Sequence, residues 1–75
     1  MTVEKIIGKV FKVDPEELDD SSCRDTIEGW DSMGHLTLIL ELEGEYKITI
    51  AIADAMEMVS VGKIKELISN YGVRV

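Results

Sequence analysis

The side chains with the most chemical potential sit in one short stretch. Ser32 follows Asp31 directly and opens a run rich in apolar residues, Met33-Gly34-His35-Leu36-Thr37-Leu38-Ile39-Leu40. Taken alone, a hydroxyl in that setting is most often a plain helix cap, because serine and aspartate both satisfy the free N–H groups of a first turn. The other reactive types are sparse. Cys23 and His35 are single residues of their kind. Without several carboxylates they cannot assemble a metal centre, so no metal is expected. Cys23 has no neighbouring general base to take its thiol proton and reads as inert. The calcium-loop pattern with its central glycine is absent, so any cation binding would be loose.

The charge around Ser32 is unusual. Residues 14–31 hold eight acids and one base, Arg24, whereas the rest of the chain is balanced, so the whole net charge of −7 belongs to this segment. Phosphate backbones would be repelled there and find no basic stripe elsewhere, which argues against nucleic acid as a partner. An acidic run is often only a solvated loop. It is also a field that steers basic protein partners toward what lies beside it, and what lies beside it is Asp31-Ser32.

These residues need elements to hold them. The 75-residue chain suits one domain, 1–75, near the lower limit for a single core and too small for a self-contained enzyme cleft. One cysteine excludes an internal disulfide. No apolar signal core opens the sequence and no apolar run could span a bilayer, so a cytoplasmic protein without membrane insertion is expected.

Val3, Ile6, Ile7, Val10 and Phe11 fall on one helical arc, with Lys5, Lys9 and Lys12 opposite, and Asp14-Pro15 ends the pattern. Gly8 weakens that helix and suits close packing. Residues 14–31 form a long connection, with Leu18 and Ile27 expected to tie it to the core. A second helix is expected from Asp31 or Ser32 to about Gly44. Its apolar residues do not make one stripe. Met33, Leu36 and Leu40 share one arc, while Leu38 and Leu42 lie nearly opposite and His35 lies with them. Such a helix is either buried all round or carries a second face for a partner. Residues 46–53 alternate Ile48, Ile50 and Ile52, a strand-like period. With no second strand to pair, they read as an extended connection into a short helix near 52–58. A last helix over about 61–70 places Val61, Ile64, Leu67, Ile68 and Tyr71 on one face, with Ser60 as cap and Gly72 as stop. The sum is an all-α fold: a small bundle of three main helices plus one short helix.

Gly29-Trp30-Asp31-Ser32-Met33, followed by Leu-x-Leu-Ile-Leu-Glu-Leu-Glu-x-Glu-Tyr, resembles the acyl carrier protein family, whose pattern is Asp-Ser-Leu and then an aliphatic helix ending in glutamates and an aromatic. Lys5-Ile6-Ile7-Gly8 and Val61-x-x-Ile64-x-x-x-Ile68 resemble its first and last helices, so the likeness covers essentially the whole chain. The resemblance implies a carrier rather than an enzyme. Ser32 would be the attachment point of 4'-phosphopantetheine, donated from coenzyme A by a phosphopantetheinyl transferase, and the arm would hold acyl groups as thioesters. A helix N-terminus suits the resulting phosphodiester, and a flexible loop before it would keep the serine exposed.

By the same resemblance Asp31 assists the transferase. Met33, Leu36 and Leu40 form a patch that partner enzymes cover, Glu43 contacts partners bearing basic docking patches, and the carrier is a monomer in fatty acid, polyketide or specialised lipid biosynthesis. The competing readings are that the three apolar residues are core, and that the chain is an acidic interaction module without a cofactor. His35 reads as a packing residue with a satisfied ring nitrogen, or as lining for an acyl-chain pocket. Trp30 reads as a hydrophobic pin for the loop.

The chain also departs from the family. Gly34 and Thr37 stand where acids are usual, Ala51 where proline is common, and Arg24 where a core aromatic is common, with Ile27 and Trp30 expected to supply that packing. The missing acids imply poor service to the enzymes of housekeeping fatty acid synthesis, which Gly34→Asp with Thr37→Glu should restore.

Overall fold

The computed structural model describes residues 2–74. Four α-helices are present among them: α1 (Val3–Phe11), α2 (Ser32–Tyr46), α3 (Ile52–Glu57) and α4 (Val61–Ser69), with a 3-10 turn at Pro15–Glu17. The described residues contain no strand; their one ladder-type pairing is an isolated antiparallel bridge between Cys23 and Ser60.

Each long helix starts on a side-chain oxygen. Thr2 Oγ1 accepts from Lys5 N at 3.2 Å, Asp31 Oδ1 from Gly34 N at 2.8 Å, and Ser60 Oγ from Lys63 N at 3.2 Å. These bonds satisfy donors that the first turn leaves free. Two helices stop in left-handed backbone without glycine. Lys12 (φ 59°) ends α1 and Lys47 (φ 55°) ends α2, each sending its N–H to the carbonyl four residues back, Gly8 and Glu43. Thus α1 ends before Asp14-Pro15 is reached. The second helix runs past the expected end at Gly44, because the stop is the Lys47 turn, closed further by Ile48 N donating to Glu43 O at 3.2 Å. The last two helices end one residue earlier than expected.

The core is made by the predicted faces. Val3, Ile6 and Ile7 of α1 meet Leu38 and Leu42 of α2 and Val61, Ile64 and Ile68 of α4, all fully buried. Gly8 does permit a close approach: a Cβ there would lie 2.7 Å from Val13 O and 2.9 Å from Pro15 Cγ. Met58, just beyond α3, is fully buried as well, and Ile50 nearly so. Of the alternating isoleucines, Ile48 and Ile50 face the core while Ile52 turns outward, so the period-two pattern marks an extended connection, as its lack of a partner strand required.

The long connection is not slack. Ser22 O accepts from Val61 N at 2.9 Å and Asp20 O from Gly62 N at 3.0 Å, so loop carbonyls satisfy the first N–H groups of α4. Lys65 Nζ lies within ion-pair distance of Glu4, at 2.6 Å, and of Asp20, at 2.9 Å, joining α1, the loop and α4. Those two hydrogen bonds, the one to Glu4 foremost, raise the Lys65 pKa above its ordinary value. Ile27 is buried and Leu18 partly so, as anticipated.

Candidate functional site

The hydroxyl of Ser32 is held at the head of α2 by residues that leave it unused. Asp31, not Ser32, is the N-cap. Ser32 is the first helical residue, it is exposed, and among the described residues no side-chain hydrogen bond involves its Oγ. The commoner fate for such a serine, capping, is therefore taken by its neighbour.

The loop before it is fixed by Trp30. The indole is 3 % exposed, stacks on Phe11 with ring centroids 5.4 Å apart, and donates from Nε1 to His35 Nδ1 at 2.9 Å. His35 Nδ1 is thus an acceptor, so Nε2 carries the hydrogen and donates to the Ala55 carbonyl at 2.7 Å. Both ring nitrogens are satisfied, and the imidazole bridges the loop, α2 and α3. Trp30 is a pin, and with Ile27 it fills the place where an aromatic was missing. Ser32 is exposed in the first turn of α2, at the end of a loop tethered by Trp30.

Gly34 has a steric reason. A Cβ at this position would overlap the Gly29 carbonyl oxygen and lie 2.8 Å from Phe11 Cε1. The first turn of α2 is pressed against the loop, and an acid cannot be restored there without moving the backbone ahead of Ser32. Gly34→Asp is therefore not a repair. Thr37 is exposed, its hydroxyl bonded to Met33 O at 3.1 Å, and an acid fits at that position.

The all-core reading of the second apolar arc is wrong. Met33 is 75 % exposed, Leu36 55 % and Leu40 59 %, while Leu38, Ile39 and Leu42 are buried. Ile52 and Met56 extend the same outward apolar surface from α3, at 80 % and 74 % exposure. Sequence reasoning missed these two, although their spacing of four residues on a short helix was a signal. Between α2 and α3 lies a cleft of about 290 Å³ whose lining includes Ser32, His35, Leu36, Ile39 and Ile50.

The glutamates at the end of α2 divide. Glu41 pairs with Lys9 at 3.2 Å. Glu43 is half-buried and accepts the Ile50 N–H on Oε2 at 2.8 Å, tying down the connection to α3. A partner cation would share that carboxylate with the backbone.

Short α3 lacks a side-chain cap, since Ala51 precedes it. Tyr71 supplies one from afar: its hydroxyl accepts from Ala51 N at 2.9 Å and donates to Asp54 Oδ2 at 2.7 Å. A proline at position 51 would remove this donor. Donation to Asp54 also raises the Tyr71 pKa above its ordinary value.

A helical bundle that presents an exposed, uncommitted serine at a helix start, beside an outward apolar face, has the layout of a carrier domain. Residues 2–68 match the model of the family described as the phosphopantetheine attachment site, and the chain belongs to the acyl carrier protein family. It resembles the solution structure of a holo acyl carrier protein from Geobacter metallireducens, with TM-score 0.80 and 31 % identity over 91 % of this chain and 78 % of that one. It also resembles a Mycobacterium tuberculosis protein assigned as an acyl carrier protein, with TM-score 0.81 and 25 % identity over 92 % of each chain. The family's cofactor is phosphopantetheine, its members are carriers rather than enzymes, and they work with a transferase and with other enzymes. The residues present fit the group: a reachable hydroxyl, a cap that does not need it, and two open clefts that Ser32 helps to line. Among the described residues no helix is long and apolar enough to cross a membrane.

Proposed function

We propose that Ser32 carries the 4'-phosphopantetheine arm and that the chain is a single carrier domain serving acyl transfer in lipid or polyketide biosynthesis. The observation that carries this reading is the division of labour at the head of α2, where Asp31 caps the helix and Ser32 stands exposed as its first residue. On loading, Ser32 Oγ bonds to the β-phosphorus of coenzyme A and the pyrophosphate P–O bond breaks. Adenosine 3',5'-bisphosphate leaves, and the serine proton passes to a base of the transferase. Asp31 holds the first turn through Oδ1 and offers its other oxygen to the transferase. The free N–H groups of that turn favour the new negative charge. The arm ends in a thiol, which holds acyl groups as thioesters.

Met33, Leu36 and Leu40, with Ile52 and Met56 beside them, form the surface that acyl-transferring or acyl-activating enzymes cover, and the acidic loop steers their basic patches toward it. Glu43 contributes to that contact while remaining on the Ile50 N–H. The absence of an acid at exposed position 37 supports service to a specialised pathway rather than housekeeping fatty acid synthesis. The carrier acts as a cytoplasmic monomer.

The test is intact mass after incubation with coenzyme A and a broad-specificity transferase. The wild type gains one arm and Ser32→Ala gains none, with an unchanged helical circular dichroism spectrum because the cap is Asp31. Loading that persists in Ser32→Ala refutes the assignment. No loading of the wild type leaves the cofactor-free interaction module.

A further inference from the structure

The one base of the acidic segment is not used to neutralise it. Arg24 stands among eight acids within residues 14–31, yet among the described residues it makes no ion pair. Instead its Nε donates to the Trp30 carbonyl at 3.3 Å. That anchor is firm, because the Trp30 ring is buried and hydrogen-bonded to His35. The side chain lines a cleft of about 270 Å³ together with Ser32, His35 and Met56. A guanidinium has five N–H donors in a planar fork. One is spent on the loop, and the Nη groups are left over on a side chain that lines the same cleft as Ser32.

We propose that Arg24 is a positioning residue for the phosphodiester attached to Ser32, its Nη groups donating to the non-bridging oxygens while Nε keeps the Trp30 carbonyl. This rests on the attachment of the arm to Ser32. Loading adds a negative charge next to Asp31, at the edge of a segment of net charge −7. An arginine fork suits a phosphate group in both charge and shape. Held this way, the root of the arm lies over the cleft instead of swinging freely, and the charge added by loading is balanced where it arises.

The experiment uses apo and holo forms of wild type, Arg24→Gln and Arg24→Lys, with intact mass establishing loading for each. If the wild type does not load, the attachment reading fails and not the role of Arg24. In the loaded wild type, the Arg24 Nε and Nη resonances shift relative to apo, and the phosphorus resonance differs from that of loaded Arg24→Gln. The melting temperature of holo minus that of apo falls by roughly 1–8 °C in Arg24→Gln relative to wild type, the range for an exposed charge pair in a domain of this size. Arg24→Lys keeps the charge without the Nε anchor and lies between. Identical phosphorus shifts and identical holo-minus-apo differences in wild type and Arg24→Gln overturn the proposal. If Arg24→Gln fails to fold, the wild-type resonances decide alone: Nε and Nη signals that do not move on loading overturn it.

Discussion

Two glycines in α2 should respond in opposite directions to the same substitution. Glycine within a helix costs about 0.5–1 kcal/mol relative to alanine, so Gly→Ala gains that much where space allows. At Gly44 an added Cβ meets nothing within 4 Å, so Gly44→Ala is expected to raise the melting temperature by roughly 2–8 °C, at about 4–8 °C per kcal/mol for a domain of this size. At Gly34 the added Cβ overlaps the Gly29 carbonyl oxygen and sits 2.8 Å from Phe11. The opposing atom is backbone, and the next residue, Trp30, is pinned. Overpacking of this kind costs about 1–3 kcal/mol, and relief by backbone movement puts it toward the upper end. Subtracting the helical gain leaves Gly34→Ala destabilised by about 1–2 kcal/mol, a fall of roughly 4–16 °C. Thermal melts followed by circular dichroism measure both. Transferase kinetics well below the transition add a second readout. Gly44→Ala loads at the wild-type rate, whereas Gly34→Ala loads more slowly because residues 29–31 are displaced ahead of Ser32. A Gly34→Ala variant that melts at or above wild type would refute the steric account.

Lys47→Gly relieves left-handed backbone at the end of α2 and is expected to raise stability by about 0.5–1 kcal/mol, seen as a higher denaturation midpoint in urea; no rise would mean the lysine side chain contributes more than the strain costs. Stability should fall at high pH: Lys65 and Tyr71 both have folded-state pKa values above their ordinary ones, so their contributions are intact below about pH 10 and vanish as pH rises through the raised values. Lys65→Gln and Tyr71→Phe should each flatten that alkaline decline, and a decline of unchanged depth in both counts against these contacts. Raised salt or millimolar divalent cation should increase the melting temperature, because of the eight acids in 14–31 only Asp20 is ion-paired among the described residues; an unchanged or lower value would show that crowding of charge in the loop does not matter. Thr37→Glu alone should improve turnover by housekeeping ketosynthases by about 2–5-fold, from one exposed charge contact, in a side-by-side elongation assay with wild type.

The three long helices were legible because their periodicity is local, and two of their caps, Asp31 and Ser60, sit where an apolar arc begins; the Thr2 cap of α1 went unread. The second face of α2 was legible for the same reason, since Met33, Leu36 and Leu40 cannot share a side with Leu38 and Leu42. What escaped the sequence joins distant residues. Tyr71 caps α3 across 20 positions, and His35 reaches Ala55 across the same separation. No pattern within a helical turn carries such a pairing. Gly34 misled because its reason lies in the Gly29 carbonyl and the Phe11 ring, so comparison with a family pattern read a steric requirement as a missing acid. The left-handed lysines were equally hidden, as the chain places no glycine at either stop.

Helix α3 has no buried residue of its own. It is held from outside, by the Tyr71 hydroxyl at its start and the His35 ring at its end. Its outward positions, Ile52, Ala53 and Met56, are therefore released from the volume constraints that bind the rest of the bundle. Substitutions there alter the surface without altering the core. In an evolutionary sense this short helix is the part of the molecule where recognition can drift at least cost to folding, while α1, α2 and α4 keep the scaffold constant. Divergence among related carriers should concentrate on that exposed face, and directed evolution toward a new partner has its least encumbered starting point in the same few residues.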